Sequence, residues 1–378
     1  MRKKLLALGV AMVFFSSCGS TGEAPSDKGD VISLQAPDTT EESEKNIPQV
    51  TITEYPLPEE IAALEKLDLM EMGLYADKEQ SMSNSNQLNF GYLTTDEEGN
   101  VYFMDETQQA IFMCGPEGDN KELIYEGIGV NLQVSNGYLY LVLYSVAGDF
   151  EALCSDSIVR IDINTKEAEV LYENLPGQIL IVQDILYSGD YGSDYGFISM
   201  KLGEPDGGFT GLSEIECAFL NTDGRYLLYN ESSLAYERGY LLAWDIETGI
   251  NYFVESKIAY PLLTGRWFSY LDFSTRTRHV LDLETGTDTD LGYQIQHAVG
   301  DGNKLYWANQ TRGSFQIMVW DGEEVQEFLT VEGKEGVYGD VTLYLTEDYL
   351  YWMFESKVFQ EADWGYYRFS DGKTGRLN

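Results

Sequence analysis

The stretch AWDIETGINYF, residues 243 to 253, returns in altered form as VLDLETGTDTD, residues 280 to 290. Its aspartates, Asp245 and Asp282, stand 37 positions apart. Each copy sets an Asp-aliphatic-Glu-Thr-Gly turn between two short apolar or β-branched runs. In such a hairpin the Asp and Thr side chains accept hydrogen bonds from turn amides, and Gly249 or Gly286 supplies a positive φ. Related turns head DINTKEAEVLYE at Asp162, DGEEVQEFL at Asp321 and SDGKTGRLN at Ser370. The intervals are 83 from Asp162 to Asp245, then 37, 39 and, from Asp321 to Asp371, 50. A four-stranded repeat unit runs to about 40 residues, so the first interval holds two units, one of them degenerate.

A second marker agrees. An aromatic strand follows a turn in GNVYFMDE from Gly99, NGYLYLVLY from Asn136, QDILYSGD from Gln183, DGRYLLYNE from Asp223, TGRWFSYLDF from Thr264, DGNKLYWAN from Asp301 and EDYLYWMFE from Glu347. That makes seven units, and the third is the degenerate one. The second unit divides into strands NLQVS, YLYLVLY, SIVRIDI and EAEVLYE. One such sheet cannot bury both its faces, whereas a ring of them can. The fold class is therefore all-β, a β-propeller of seven four-stranded blades; a tandem of two-sheet sandwiches is the alternative. TITEYP, from Thr51, is expected to add the outer strand of the last blade. LPEEIAALEKLDLM, just after it, carries a short helical pattern with Ile61, Leu64 and Leu67 on one face.

The tetrapeptides Tyr306-Trp307-Ala308-Asn309, Tyr102-Phe103-Met104-Asp105, Tyr187-Ser188-Gly189-Asp190 and Tyr351-Trp352-Met353-Phe354 look like decayed copies of one motif. Over about residues 88 to 378 the chain resembles the YWTD-type propellers of lipoprotein receptors and the related propeller lipoproteins of Gram-positive bacteria. The receptor resemblance implies six blades, against the seven units counted.

The chain opens MRKKLLALGVAMVFFSSCGS: three cations, an apolar run from Leu5 to Phe15, two serines and Cys18. The run is too short to span a bilayer and reads as a secretion signal. Phe15-Ser16-Ser17-Cys18 resembles the lipobox of bacterial lipoproteins. This implies cleavage before Cys18 and acyl chains, palmitate among them, on that residue, anchoring an exported protein to the outer face of the cell membrane. From Gly19 to Val50 the sequence is polar, acidic and nearly without aromatics, so it cannot bury enough apolar surface to order itself. The expected domains are a signal peptide at 1–17, a flexible linker at 18–50 and the propeller at 51–378.

Of 378 residues, 63 are acidic and 24 basic, for a net charge of −39. That surplus repels phosphate backbones and anionic headgroups, which argues against nucleic-acid partners and electrostatic membrane adhesion. Cys114, Cys154 and Cys217 are an odd set without metal-like spacing. They read as buried or half-buried thiols, with one disulfide open to an exported protein. No Walker loop, HExxH, GxSxG or strand-borne GxGxxG occurs, which leaves out nucleotide binding and the familiar hydrolase signatures. His279 and His297 belong to no recognisable Ser/His/Asp set. DLETGTDTDLG and GDYGSDYG resemble calcium loops in composition only. The expected cofactor is none, with calcium the one open option.

In a propeller blade the loops between second and third strands emerge on one face and the hairpins between third and fourth on the other. Here the second-to-third loops are long in units two, three, four and seven, and long loops on a rigid scaffold are where binding residues sit. They carry Phe150, Tyr191, Tyr195, Tyr236, Phe359 and Trp364, with Asp149, Asp190, Asp194, Arg238, Glu361 and Asp363 among them. Aromatic planes beside carboxylates suit sugars, and equally suit peptide or protein anchors. The expected function is non-catalytic binding of a glycan, peptide or envelope protein through the long-loop face. A secreted carbohydrate-active enzyme using paired carboxylates, or an envelope-complex scaffold, is the alternative.

Overall fold

The computed structural model describes residues 57–144, 157–191, 194–231, 239–311, 314–332, 339–356 and 362–377. Cys18, the linker, TITEYP and Cys154 lie outside the described residues. Seven antiparallel sheets follow one another along the chain, at 93–126, 128–172, 176–213, 217–255, 258–290, 299–332 and 339–376. They are the blades of a seven-bladed propeller, numbered one to seven below. The seven aromatic runs are the seven second strands, from Val101–Asp105 in blade one to Tyr349–Ser356 in blade seven. Blade three is degenerate where expected, because its last hairpin carries a 3-10 turn at Pro205–Gly207 in place of the aspartate turn.

The aspartate turns form as read. Oδ1 of Asp245 accepts from the amides of Glu247 at 2.9 Å and Thr248 at 3.2 Å. Oδ1 of Asp282 does the same for Glu284 and Thr285, at 2.9 and 3.2 Å. Gly249 and Gly286 take φ of 69° and 73°, the region that L side chains resist.

Among the described residues the four strands of each blade are consecutive in sequence. Blade seven takes its fourth strand, Thr374–Arg376, from the end of the chain. The hairpin loop of blade one performs the closure. The Glu117 carboxylate accepts from Arg368 and Lys373 of blade seven and from the hydroxyls of Tyr366 at 3.3 Å and Tyr349 at 3.4 Å. Tyr351 donates to the Pro116 carbonyl at 3.0 Å.

Between blades the sheets meet on apolar clusters of Leu, Ile, Tyr and Trp, and first strands are tied laterally by amides. Gln133 bridges blade two to the backbone of Ile179 and Ile181, and Asn221 bridges blade four to Pro261 and Leu263. Both amides sit at a register shift of their strand. The extra residue of a bulge re-aims a side chain, here toward the next blade.

The expected helix over LPEEIAALEKLDLM shortens to Glu59–Ala62, called α1. Beyond it Glu65–Lys66 pairs in parallel with Ile250–Glu255, adding a fifth strand to blade four. The open edge of that outer strand offers backbone partners that a two-turn helix would forgo.

A second helix, α2 (Lys78–Leu88), follows and has no counterpart in the sequence reading. Asp77 caps it through the Gln80 amide at 2.8 Å. Its sequence, KEQSMSNSNQL, is polar, yet Ser81, Asn84, Ser85, Asn86, Gln87 and Leu88 are buried. The helix fills the central channel of the ring. Asn84 Nδ2 donates to the carbonyls of Thr222 at 2.8 Å and Leu263 at 3.0 Å, and its Oδ1 accepts from the Thr222 amide at 3.0 Å. Ser85 exchanges hydrogen bonds with the backbone of Gly300, and Asn86 with that of Leu345. Gln87 donates to Leu132 and Asn89 to Leu343. First strands present an open backbone edge to the channel, and those groups need partners. Side-chain amides and hydroxyls of α2 supply them to blades two, four, five, six and seven.

Candidate ligand site at the channel mouth

The chain leaves α2 through Asn89 and Phe90 at the long-loop end of the channel. Phe90 (φ 66°) and Tyr92 form the floor there, their ring centroids 5.9 Å apart. His297, on the connection into blade six, stands 5.3 Å from Phe90 and 5.5 Å from Tyr260, edge-on to the latter. Tyr260 takes φ of 48° at the register shift of its strand, which turns its side chain toward the mouth.

Carboxylates border this floor at the ends of second strands. Glu106 follows the second strand of blade one, and Glu355 lies near the end of that of blade seven. Tyr92 donates its hydroxyl to Glu106. Burial first, then the Glu355 charge, raises the Glu106 carboxyl above the ordinary carboxylate range. Burial raises the Tyr92 phenol, and the Glu106 charge adds to it. The mouth thus gathers four aromatic rings beside two half-buried carboxyls, and the Glu355 charge helps to raise Glu106.

His297 ties the mouth to the plug, because its ring bonds the Leu88 carbonyl at the end of α2. Nδ1 has no hydrogen-bond partner among the described residues. Burial holds the ring down at about 4, with the Arg278 guanidinium a further cause and the Asp340 charge opposing it. A histidine whose folded value lies below its ordinary 6.5 binds fewer protons folded than unfolded. Its stabilising contribution is complete above pH 6.5 and is lost as pH falls from 6.5 toward 4. The full shift corresponds to about 3 kcal/mol, which residual solvent contact reduces to about 2. Raised Glu106 works in the opposite sense, costing stability as pH climbs above the ordinary carboxylate value. Urea unfolding from pH 7 to 4 should therefore show His297→Gln losing about 2 kcal/mol less than the parent chain. Parallel pH profiles would refute that assignment.

Six of the twelve residues singled out from sequence are among the described residues. Phe150, Asp149, Tyr236, Arg238, Phe359 and Glu361 lie outside the described residues. Tyr195 is half exposed and Asp194 is exposed, both on the long-loop face. Tyr191 is partly buried and donates to the Cys217 carbonyl at 3.1 Å. Asp190 is 1% exposed and accepts from the Tyr172 hydroxyl, so it is a packing group. Asp363 stands 3.9 Å from Arg376 in an open ion pair. Trp364 turns inward: strand alternation places it between blades seven and one, where it is 3% exposed and its indole donates to the Met104 carbonyl at 2.9 Å. Phe90, Tyr92, Glu106, Tyr260, His297 and Glu355 were not singled out as ligand residues. Their signal is positional, at strand ends and on a plug exit, and no local motif marks it.

His279 finds partners too. Its Nδ1 lies 3.0 Å from Asp288 Oδ2 and its Nε2 3.2 Å from Thr275 Oγ1, the chain order of a hydroxyl-imidazole-carboxylate relay. Thr275 Oγ1 also accepts from the Thr277 hydroxyl at 2.8 Å and amide at 3.3 Å, so the relay serves as a lock on an exposed turn. Cys114 and Cys217 are buried free thiols, and burial pushes Cys114 up to about 11. Among the described residues no cluster of three or more His, Cys, Asp or Glu side chains is placed to hold a metal ion. No helix among them is long and apolar enough to cross a membrane.

No family model matches the chain, and no curated protein matches it. Solved structures do. A prolyl endopeptidase, from a study of two such enzymes and their inter-domain dynamics, aligns with a TM-score of 0.55 at 11% identity, over 79% of this chain and 51% of its own. The β-propeller domain of the trilobed protease from Pyrococcus furiosus aligns at 0.46 with 12% identity, over 66% and 84%. A nidogen/laminin complex aligns at 0.42 with 12% identity, over 62% and 93%. The shared property is the β-propeller fold. The chain spans about half the length of the endopeptidase.

Proposed function

We propose that this protein is an exported lipoprotein, held at the outer face of the cell membrane by acyl chains on Cys18, whose propeller binds a glycan, peptide or protein ligand without chemical turnover. One observation supports the binding reading: α2 occupies the channel, and where the chain leaves it Phe90, Tyr92, Tyr260 and His297 gather with Glu106 and Glu355 on the long-loop side. A ligand there meets aromatic faces and carboxylate acceptors together, the pairing that orients polar ligands on an apolar floor. Glycans, cell-wall fragments and peptides screened against the chain lacking residues 1–18 should include a ligand that raises the unfolding temperature, and Glu106→Gln with Glu355→Gln should abolish that rise. A rise unchanged in the double variant would move the ligand elsewhere. Fatty-acid label should reach the full-length protein in cells and be lost in Cys18→Ala; label that persists removes the anchor.

A second reading, a carbohydrate-active enzyme, is favoured by the raised Glu106 carboxyl beside Glu355. Glycosidic cleavage uses a pair of carboxyls, one of which holds its proton more tightly than an ordinary carboxylate. Turnover of a glycan that vanishes in either single Glu→Gln variant would establish it over simple binding.

A further inference from the structure

We propose that the channel mouth, taken as the ligand site on the reading above, selects an organic ammonium group and seats it among the rings and carboxyls gathered there. Phe90, Tyr92, Glu106, His297 and Glu355 are each half-buried, so ring surface and carboxyl surface reach solvent together. The Phe90 and Tyr92 rings stand 5.9 Å apart, tilted by 31°, and His297 approaches Phe90 at 5.3 Å. Phe90 holds φ of 66° where the chain leaves the plug, a conformation that a bulky L side chain adopts only when its surroundings impose it. An aromatic face attracts a cation through its quadrupole, most strongly where water is partly excluded.

The charge around these rings is negative. Among the described residues the groups that act on Glu106 are Glu355, Asp105 and the Tyr92 hydroxyl, none of them a cation. The Tyr344 phenol, in blade seven, senses the same carboxylate. Asp340 lies directly across the ladder from Glu355, which brings a further carboxylate to the rim. The Arg278 guanidinium acts on His297 from beneath, and there Asp340 opposes it. Arg278 is fully buried and gives its N–H groups to Ser269 and Gln296, so no ligand meets it. With −39 on the whole chain, cations are steered toward the mouth and anions away from it. An ammonium group offers one positive charge to rings and carboxyls alike, whereas an uncharged hydroxyl offers the carboxyls a hydrogen bond and the ring quadrupoles no charge. Burial and the Glu355 charge make Glu106 hold its proton. A cation seated beside it favours the ionised form, so binding expels that proton.

The test titrates the full chain by calorimetry with choline against neohexyl alcohol, cadaverine against pentanediol, and a lysine peptide against its Nε-acetyl form. At least one ammonium compound should bind saturably, with its uncharged counterpart about tenfold weaker or more. Binding of the small amines assigns a free amine as the source, and binding of the peptide alone assigns a lysine side chain. Glu106→Gln with Glu355→Gln should weaken the ammonium compound about tenfold or more. Phe90→Leu, which keeps apolar bulk and removes the π face, should weaken it about threefold and serves if the glutamine variant misfolds. Heats measured in buffers of different ionisation enthalpy should report net proton release, and affinity should fall as the solution is acidified through the carboxyl range. Equal binding of charged and uncharged partners overturns the proposal, as does the absence of saturable binding by any ammonium compound. Ammonium binding untouched by these variants overturns it too, since that is attraction to an acidic surface at large. A neutral glycan that binds and is lost in the double glutamine variant keeps the mouth as the ligand site and overturns the ammonium assignment alone.

Discussion

Replacing Asn84 with leucine is expected to lower the unfolding free energy by about 4 kcal/mol. Asn84 is fully buried, midway along α2, and holds the first strands of blades four and five through Thr222 and Leu263. It also accepts from Gln80 Nε2 at 3.0 Å. Leucine is close to asparagine in size, so packing changes little. Two strand carbonyls and one strand amide lose their partner in a site that α2 seals from water. A buried group left unsatisfied costs about 1–3 kcal/mol, and these three together exceed the gain from a more apolar side chain. In a chain of this size that is roughly a 10 °C fall in unfolding temperature. Asn84→Asp should be at least as costly, because it keeps the acceptors, deletes both donors and buries a charge. Differential scanning calorimetry decides the matter. A leucine variant melting within about 2 °C of the parent chain would mean that the plug is incidental to closure.

Trp364→Ala should cost a similar amount, about 4 kcal/mol, with the loss seen in folding rather than in ligand affinity. The indole packs edge-on to Phe103 at 5.6 Å and against Tyr344 at 5.4 Å, and its N–H satisfies Met104 across the seam. Removing a large aromatic from such a site forfeits its transfer energy and leaves a cavity, about 3–5 kcal/mol together. Among the described residues this contact joins the Glu117 cluster and the apolar packing of blades one and seven in holding the seam. Trp364→Phe keeps most of the volume but leaves the Met104 carbonyl bare, for a loss of about 1–2 kcal/mol. An alanine variant that unfolded like the parent yet lost its ligand would return Trp364 to the surface role expected from sequence.

The two predictions bear on what the sequence could disclose. The repeated aspartate turns and aromatic strands were legible because each is held by groups a few residues apart: Asp245 bonds amides at 247 and 248, and Gly249 turns the chain beside them. Local chemistry leaves a local signature. The candidate site was hardly legible, because exposure depends on which way a strand is packed. Trp364 and Tyr195 both lie near long loops rich in aromatics, yet one is interior and the other half exposed. Helix α2 was illegible for a related reason. A run of Ser, Asn and Gln lacks the apolar stripe that announces a packed helix, and here the surface it packs on is polar backbone.

By itself, then, the amino-acid order determined seven units, their aromatic second strands and the aspartate turns of five of them, since those follow from periodicity and short-range hydrogen bonds. The tertiary structure alone decided that the channel is filled, how the ring is closed and which side chains meet at its mouth. Those outcomes depend on partners 45 to 259 positions distant, such as Gln87 with Leu132 and Asn86 with Leu345. An amide can bond any backbone group it is brought against, and only the closed ring selects which.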